Sequence, residues 1–182
     1  MVAKDDYVIV LDFLPHGKSG DRKAEPLAQV IGERFFNLLE IIIKEGVSIK
    51  PKDRIYIGGD KREEVRYIRS RIAYIHLTNF SKVELESTIK DLISKDEKRF
   101  VNFFNRAGPI TTRLHSLELL PGIGKRHMWD IITKRKEKPF ESFDDLKNRV
   151  TMLPDPKKMI IKRILDELQT KDRHRLFVSS MT

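Results

Sequence analysis

The stretch LELLPGIGKRHMWDII, residues 117–132, decides how the second half of the chain folds. Leu114, Leu117 and Leu120 keep helical spacing and stop at Pro121; Met128, Ile131 and Ile132 resume it after Gly124. Two of the chain's nine glycines stand between them. Glycine takes positive φ without steric cost, so Gly122 and Gly124 permit a tight turn between two helices, with Pro121 fixing the entry. Ile123 then tucks inward. The N–H groups of Gly122, Ile123 and Gly124 point outward at the start of the second helix, and free amides there form an anion site. Lys125 and Arg126 fall in the first turn, where positive charge opposes the helix dipole but suits a neighbouring anion. His127 is placed to join them.

Outward from this turn the pattern stays helical. LPGIGKRHMWDII (120–132) recurs 33 residues later as LPDPKKMIIKRIL (153–165), with Asp155 and Pro156 where the first copy has a glycine and the isoleucine. Between the copies FESFDDLKNRV (140–150) reads as a short helix entered at Ser142. Upstream, Ser81 and Glu84 suggest a capping box, followed by Val83, Leu85, Ile89, Leu92 and Ile93 at helical spacing. Phe100, Phe103 and Phe104 read as a buried stripe, and Trp129 as packing in an amphipathic helix. Ala107-Gly108-Pro109 breaks the run, and Thr111 or Thr112 caps the helix that ends at Leu120. RHRLFV (173–178) suits a final strand.

The first 78 residues read as β structure. DYVIVLDFL (5–13) is one strand. AQVIGERFFNLLEIII (28–43) is two strands or one bent strand, with Gly32 at the bulge or bend. EGVSIKPKDRIYIGG (45–59) gives a strand, a turn through Pro51, Lys52 and Asp53, and a second strand. Residues 65–77 lean to strand. Four or five short strands suit a small, partly closed barrel of the OB type. The expected fold class is therefore α+β: an OB-like β domain at 1–78, a helical connector at 79–105, and a helical domain at 106–182 built from two paired turns.

Charge follows the same division. The chain carries a formal net charge of +9, and residues 106–182 hold 17 Lys and Arg against 10 Asp and Glu. That asymmetry points to nucleic acid. There is no cysteine, so disulfides and thiolate metal sites are excluded. The N-terminus lacks an apolar leader and LLEIII (38–43) is too short to span a bilayer, so a cytoplasmic protein without membrane association is expected. HGKSG (16–20) has Asp12 where a phosphate-binding loop needs its first glycine, and HGKSGDRKAEP (16–26) reads as a mobile loop between the first strands. His115 and His127 have no third ligand at metal spacing. No nucleophile–base set or cofactor fingerprint is present, so neither catalytic residues, metal nor cofactor is expected. Arg54 and Tyr56, with Arg66, Arg69 and Arg71 beside Tyr67 and Tyr74, are candidates for a basic, aromatic surface against single strands.

LELLPGIGKRHMWDII resembles the helix-hairpin-helix motif, with Met128 where many such hairpins carry a small residue. The resemblance implies a phosphate grip by the amides of Gly122 to Gly124, backed by Lys125 and Arg126. KPKDRIYIGG (50–59), RFVNFFNRAGPITTRLHSLELLPGIGK (99–125) and KPFESFDDLKNRV (138–150) make the whole chain resemble an uncharacterised archaeal family of predicted nucleic-acid-binding proteins, described as an OB-like domain followed by helix-hairpin-helix. That resemblance implies binding of RNA or DNA, RNA slightly favoured, without catalysis. The alternative is a protein-interaction module in a ribosomal or replication assembly, since fold does not fix function. Neither oligomeric state nor base specificity follows from the sequence.

Overall fold

The computed structural model describes residues 4–180. It is an α+β structure whose compact units are the chain up to Thr88 with the segment from Glu167 onward, and Ile89–Asp166. The divisions fall inside two helices.

The first unit is a curled antiparallel sheet of five strands: β1 (Tyr7–Leu14), β2 (Leu27–Gly32), β3 (Leu38–Ile43), β4 (Arg54–Tyr56) and β5 (Val65–Arg71), in the order β4-β1-β2-β3-β5. Register shifts at Val10/Asp12 in β1, and in β5 opposite Glu40/Ile41 and Ile42/Ile43, add the local twist that curls it. Alternate residues Val8, Val10, Ala28, Val30, Ile41 and Ile43 fill the concave core with Ile55 and Val65. The opposite face of β2 and β3 is also buried, which explains their continuous apolar sequences.

Residues 28–43 form two strands, and Gly32 closes the first. A Cβ there would lie 1.9 Å from the Asp5 carboxylate. That buried carboxylate accepts the Arg34 and Phe35 N–H groups at 2.7 and 2.8 Å and the Asn37 amide at 2.8 Å, which fixes the β2–β3 turn. Three sequence expectations are corrected. Residues 45–50 form a turn and an irregular stretch instead of a strand, with Gly46 at φ +79°. The last strand ends at Arg71, and Tyr74–His76 is a single 3-10 turn. Residues 173–178 form bends held by Glu167, whose carboxylate accepts the N–H groups of Leu176, Phe177 and Val178 at 2.6, 3.1 and 2.9 Å.

The helices are α1 (Asn79–Lys95), α2 (Glu97–Arg106), α3 (Lys125–Glu137), α4 (Phe143–Arg149) and α5 (Pro156–Gln169). Thr78 starts α1, its hydroxyl accepting the Ser81 N–H at 3.0 Å. The expected capping box at Ser81 is displaced because the buried Ser81 hydroxyl donates to Gln29 instead, at 2.8 Å. Ser142 caps α4 as expected, accepting the Asp145 N–H at 2.9 Å. The expected helix over 111–120 does not form. Pro109 and His115 pair as an isolated bridge, and only Ser116–Leu119 makes a 3-10 turn.

Candidate nucleic-acid interface

In the second unit α2 to α4 and the helical part of the repeat pack as expected. Leu120 and Leu153, Met128 and Ile161, and Ile131 and Ile164 are buried in matching positions. The two turns touch: a Cβ on Gly122, at φ +91°, would lie 3.2 Å from Pro154 Cγ. Gly122 is therefore demanded by backbone and packing together. Gly124 is different. It precedes α3 at φ −99°, and a Cβ there would meet nothing within 4 Å.

The turn holds itself together with its own polar groups. The Ile123 N–H donates to the Leu120 carbonyl at 3.2 Å, so it points inward, contrary to the expectation of three outward amides. His115 Nδ1 accepts the Leu117 N–H at 3.1 Å, and Glu118 accepts the His115 N–H at 2.9 Å. Glu118 also pairs with Lys125 at 2.8 Å across the turn. The Lys125 ammonium holds the Glu118 carboxyl below its ordinary value. Arg126 has no ion pair among the described residues.

Several basic residues that gave this half its charge are structural. Arg135 donates to the carbonyls of Phe104 and Ala107 at 3.0 and 2.8 Å, closing the end of α2. Arg149 does the same for α3 through Lys134 and Lys138 at 2.8 and 2.7 Å. Arg163 is buried against the Leu119 carbonyl at 3.4 Å. What remains exposed on α3 is Lys125, Arg126, Trp129, Thr133 and Lys136 on one helical face, with the acid Glu137 at its C-terminal end. Trp129 is 61% exposed, which overturns its reading as packing. The signal available in the sequence was its position, three and four residues after Arg126 and Lys125, away from the Met128–Ile131 stripe.

The β-unit candidates are placed differently. Arg54 forks onto Glu33, with Nη2 at 2.8 Å, and stacks 3.4 Å over the Tyr7 ring. Tyr56 packs edge-on against Tyr7, and its hydroxyl meets Asp60 at 3.3 Å. The segment between β1 and β2 lies over β5: Asp21 takes Arg69 at 2.8 and 2.9 Å, and Glu25 takes Arg66 at 3.1 Å and the Tyr67 hydroxyl at 2.8 Å. Lys18 of the same segment pairs with the buried Glu40. The loop read as mobile is thus fastened by three ion pairs. Arg71 donates to the Ser179 and Ser180 carbonyls. The outer face of β2 and β3 at Gln29 is occupied by residues 76–81 of the chain itself. Gly122 to His127 and the Arg54 to Arg71 group lie in separate units.

Among the described residues no three His, Asp or Glu side chains gather as a metal site. No helix is long and apolar enough to cross a membrane.

The class these features define is a two-unit α+β protein: a curled five-stranded sheet, and a helical unit that presents a glycine turn beside an exposed cationic helix face. The chain belongs to the family described as "Protein of unknown function (DUF655)", matched over residues 4–179. It is 45% identical over 176 residues to "Uncharacterized protein MJ0038" of Methanocaldococcus jannaschii, covering 96% of this chain and 80% of that one. The crystal structure of Af1531 from Archaeoglobus fulgidus, a DUF655 member, superposes with a TM-score of 0.86 at 47% identity, over 95% of this chain and 99% of that one.

Proposed function

We propose that this protein binds single-stranded nucleic acid, with the exposed face of α3 as its principal contact surface. One observation carries the reading: an uncovered tryptophan on a helix face whose neighbours are Lys125, Arg126 and Lys136. Burying an indole is the usual way to gain from it, so a protein that leaves one exposed among cations forgoes that gain. Aromatic stacking on bases beside a cationic backbone track is how single strands are held without sequence preference. The open backbone at Gly124 lets a phosphate approach the first turn of α3. A helix-hairpin-helix grip on phosphate would here rest on the Gly122 and Gly124 amides with Lys125 and Arg126, since the Ile123 amide is turned inward. In the β unit the curled five-stranded sheet is compatible with an OB barrel. RNA is the favoured ligand on the family resemblance.

A second reading has its own observation. Ile75 and Val83 are 76% and 74% exposed in the β unit, with Phe80 half exposed. Phe80 and Val83 are three residues apart on α1 and share a face, and exposed apolar side chains so placed suit a protein partner.

Trp129 is the sole tryptophan, so its fluorescence reports the site directly. Titration with single-stranded RNA quenches it, with a log–log salt slope of about −0.7 per phosphate contact. By anisotropy of labelled strands, Trp129→Ala weakens binding by about 1–3 kcal/mol. Gly124→Ala, which its open surroundings tolerate, weakens it while leaving the fold intact. Unquenched fluorescence with saturating RNA and DNA, single or double stranded, moves the assignment to those exposed apolar side chains.

A further inference from the structure

The β unit contains a cavity of about 300 Å³ that the reading above does not use. Its floor is apolar, made by Phe36, Leu38, Ile72 and Val178, with Tyr74 on one side. Three cations reach it from two segments: Arg71 at the end of β5, and Lys171 and Arg175 after α5. None of the three is ion-paired among the described residues; Arg71 donates to the Ser179 and Ser180 carbonyls and Arg175 to the Thr170 carbonyl at 3.4 Å, which leaves their remaining N–H groups for a ligand. The acid near Arg71 is Asp5, whose oxygens already accept three hydrogen bonds from Arg34, Phe35 and Asn37. Burial first, and then the Arg175 charge, hold the Arg71 guanidinium below its ordinary value. Two guanidiniums that sense each other across a partly apolar space are stabilised by an anion placed between them. The remaining wall is the end of α5, Leu168 and Gln169, with Thr170 after it, whose carbonyl accepts Arg175 Nη2 at 3.4 Å; the last carbonyls of a helix have no partner within it. Carbonyls there accept hydrogen bonds from hydroxyl or amino groups.

We propose that this cavity is a nucleotide site: it takes a nucleoside phosphomonoester, either free or as the phosphorylated end of a strand. The phosphate sits against Arg71, Arg175 and Lys171. The base lies on the apolar floor beside Tyr74, and ribose or exocyclic donors face the α5 carbonyls. Bidentate guanidinium contacts suit a terminal phosphate with its extra charge better than an internal diester. The volume is at the lower end of small-molecule sites, which fits one nucleotide and excludes a strand passing through. The inference stands apart from the α3 face, which lies in the other unit.

Calorimetry on the full chain tests it with AMP, adenosine and inorganic phosphate, followed by oligonucleotides with a 5′-phosphate or a 5′-hydroxyl. AMP binds, adenosine does not, and phosphate alone binds more weakly than AMP. Arg175→Gln lowers AMP affinity by roughly tenfold or more, and Arg175→Lys restores part of it. Arg126→Gln on α3 leaves AMP binding unchanged, so failure here and failure of the α3 reading are separable. A 5′-phosphorylated strand that binds more tightly than its 5′-hydroxyl counterpart, and loses that advantage in Arg175→Gln, assigns the site to strand ends; equal binding of the two strands assigns it to the free nucleotide. The proposal fails if AMP shows no saturable binding and a 5′-phosphate adds nothing to the binding of a strand. It also fails if the folded Arg175→Gln and Lys171→Gln variants bind AMP as the wild type does, or if phosphate alone binds as tightly as AMP.

Discussion

Gly122 and Gly124 look equivalent in LPGIG and are not. Gly122 answers to the fold, through its φ and the Pro154 ring behind it, whereas Gly124 opens onto space and answers to whatever approaches α3. His115 shows a similar split between appearance and role. Beside a glycine turn it looks like a phosphate or metal ligand, yet its Nδ1 serves as a capping acceptor, which requires the neutral ring. Burial chiefly, then Arg135, holds its pKa below the ordinary 6.5; Lys125 acts in the same direction and Glu118 against it. The sign of the pH effect follows. Below the unfolded value the unfolded chain takes up a proton that the folded chain resists, so stability falls as pH drops from about 6.5 toward the folded value. Above it His115 contributes no pH dependence. Urea unfolding at about pH 7.5 and 5.5 checks this: the wild type loses more stability between them than His115→Asn, which keeps a capping acceptor that does not titrate. Equal losses would remove His115 from the account.

At the scale of elements, the segment between β1 and β2 controls the surface that β5 offers. Arg66, Tyr67 and Arg69 project from an edge strand, and Asp21 and Glu25 occupy them as the phosphates of a strand would. Arg69 holds the Asp21 carboxyl down at about 2, so the strap stays charged across the whole neutral range. Exposed pairs of this kind are weak and screened by salt, so a strand can displace them. Asp21→Asn with Glu25→Gln should therefore raise affinity for single-stranded RNA about two- to fivefold, read by anisotropy, with little change in melting temperature. Unchanged affinity means that β5 takes no part in binding. None of this was legible in the sequence, because charge complementarity between residues 41 to 48 positions apart has no periodic signature. The strands β1 to β3 were legible from their apolar runs, and α4 from Ser142 and Asp145. The helix over 111–120 misled because Leu114, Leu117 and Leu120 keep helical spacing within a loop pinned by the Pro109–His115 bridge. Trp129 misled because amphipathic helices bury most of their aromatics, and which side of α3 is covered depends on packing that the sequence does not display.

For the whole molecule, the sequence suggests an N-terminal β half and a C-terminal helical half, whereas the chain returns to its first unit after Asp166. Two side chains secure that return. Glu167 accepts three consecutive N–H groups from Leu176 to Val178, and Arg71 then takes the Ser179 and Ser180 carbonyls, so a stretch without regular structure is held by one carboxylate and one guanidinium. From there the Ser179 hydroxyl reaches Asn37 at 2.6 Å, and Asn37 reaches Asp5 at 2.8 Å, linking the end of the chain to its beginning through the β2–β3 turn. Hydrogen bonds to a charged acceptor contribute about 1.5–3 kcal/mol each, and three donors left unsatisfied cost more than one. Glu167→Ala should thus lower the unfolding free energy by about 3–5 kcal/mol, measured by urea denaturation followed by far-UV circular dichroism. Glu167→Gln retains one carbonyl acceptor and should lose less. The same substitutions free the segment that carries Arg175, so both variants should weaken AMP binding in the order of their destabilisation, while RNA quenching of Trp129 in the other unit survives in whatever fraction remains folded. Loss of Trp129 quenching in a folded Glu167→Gln protein would instead show that the two units communicate.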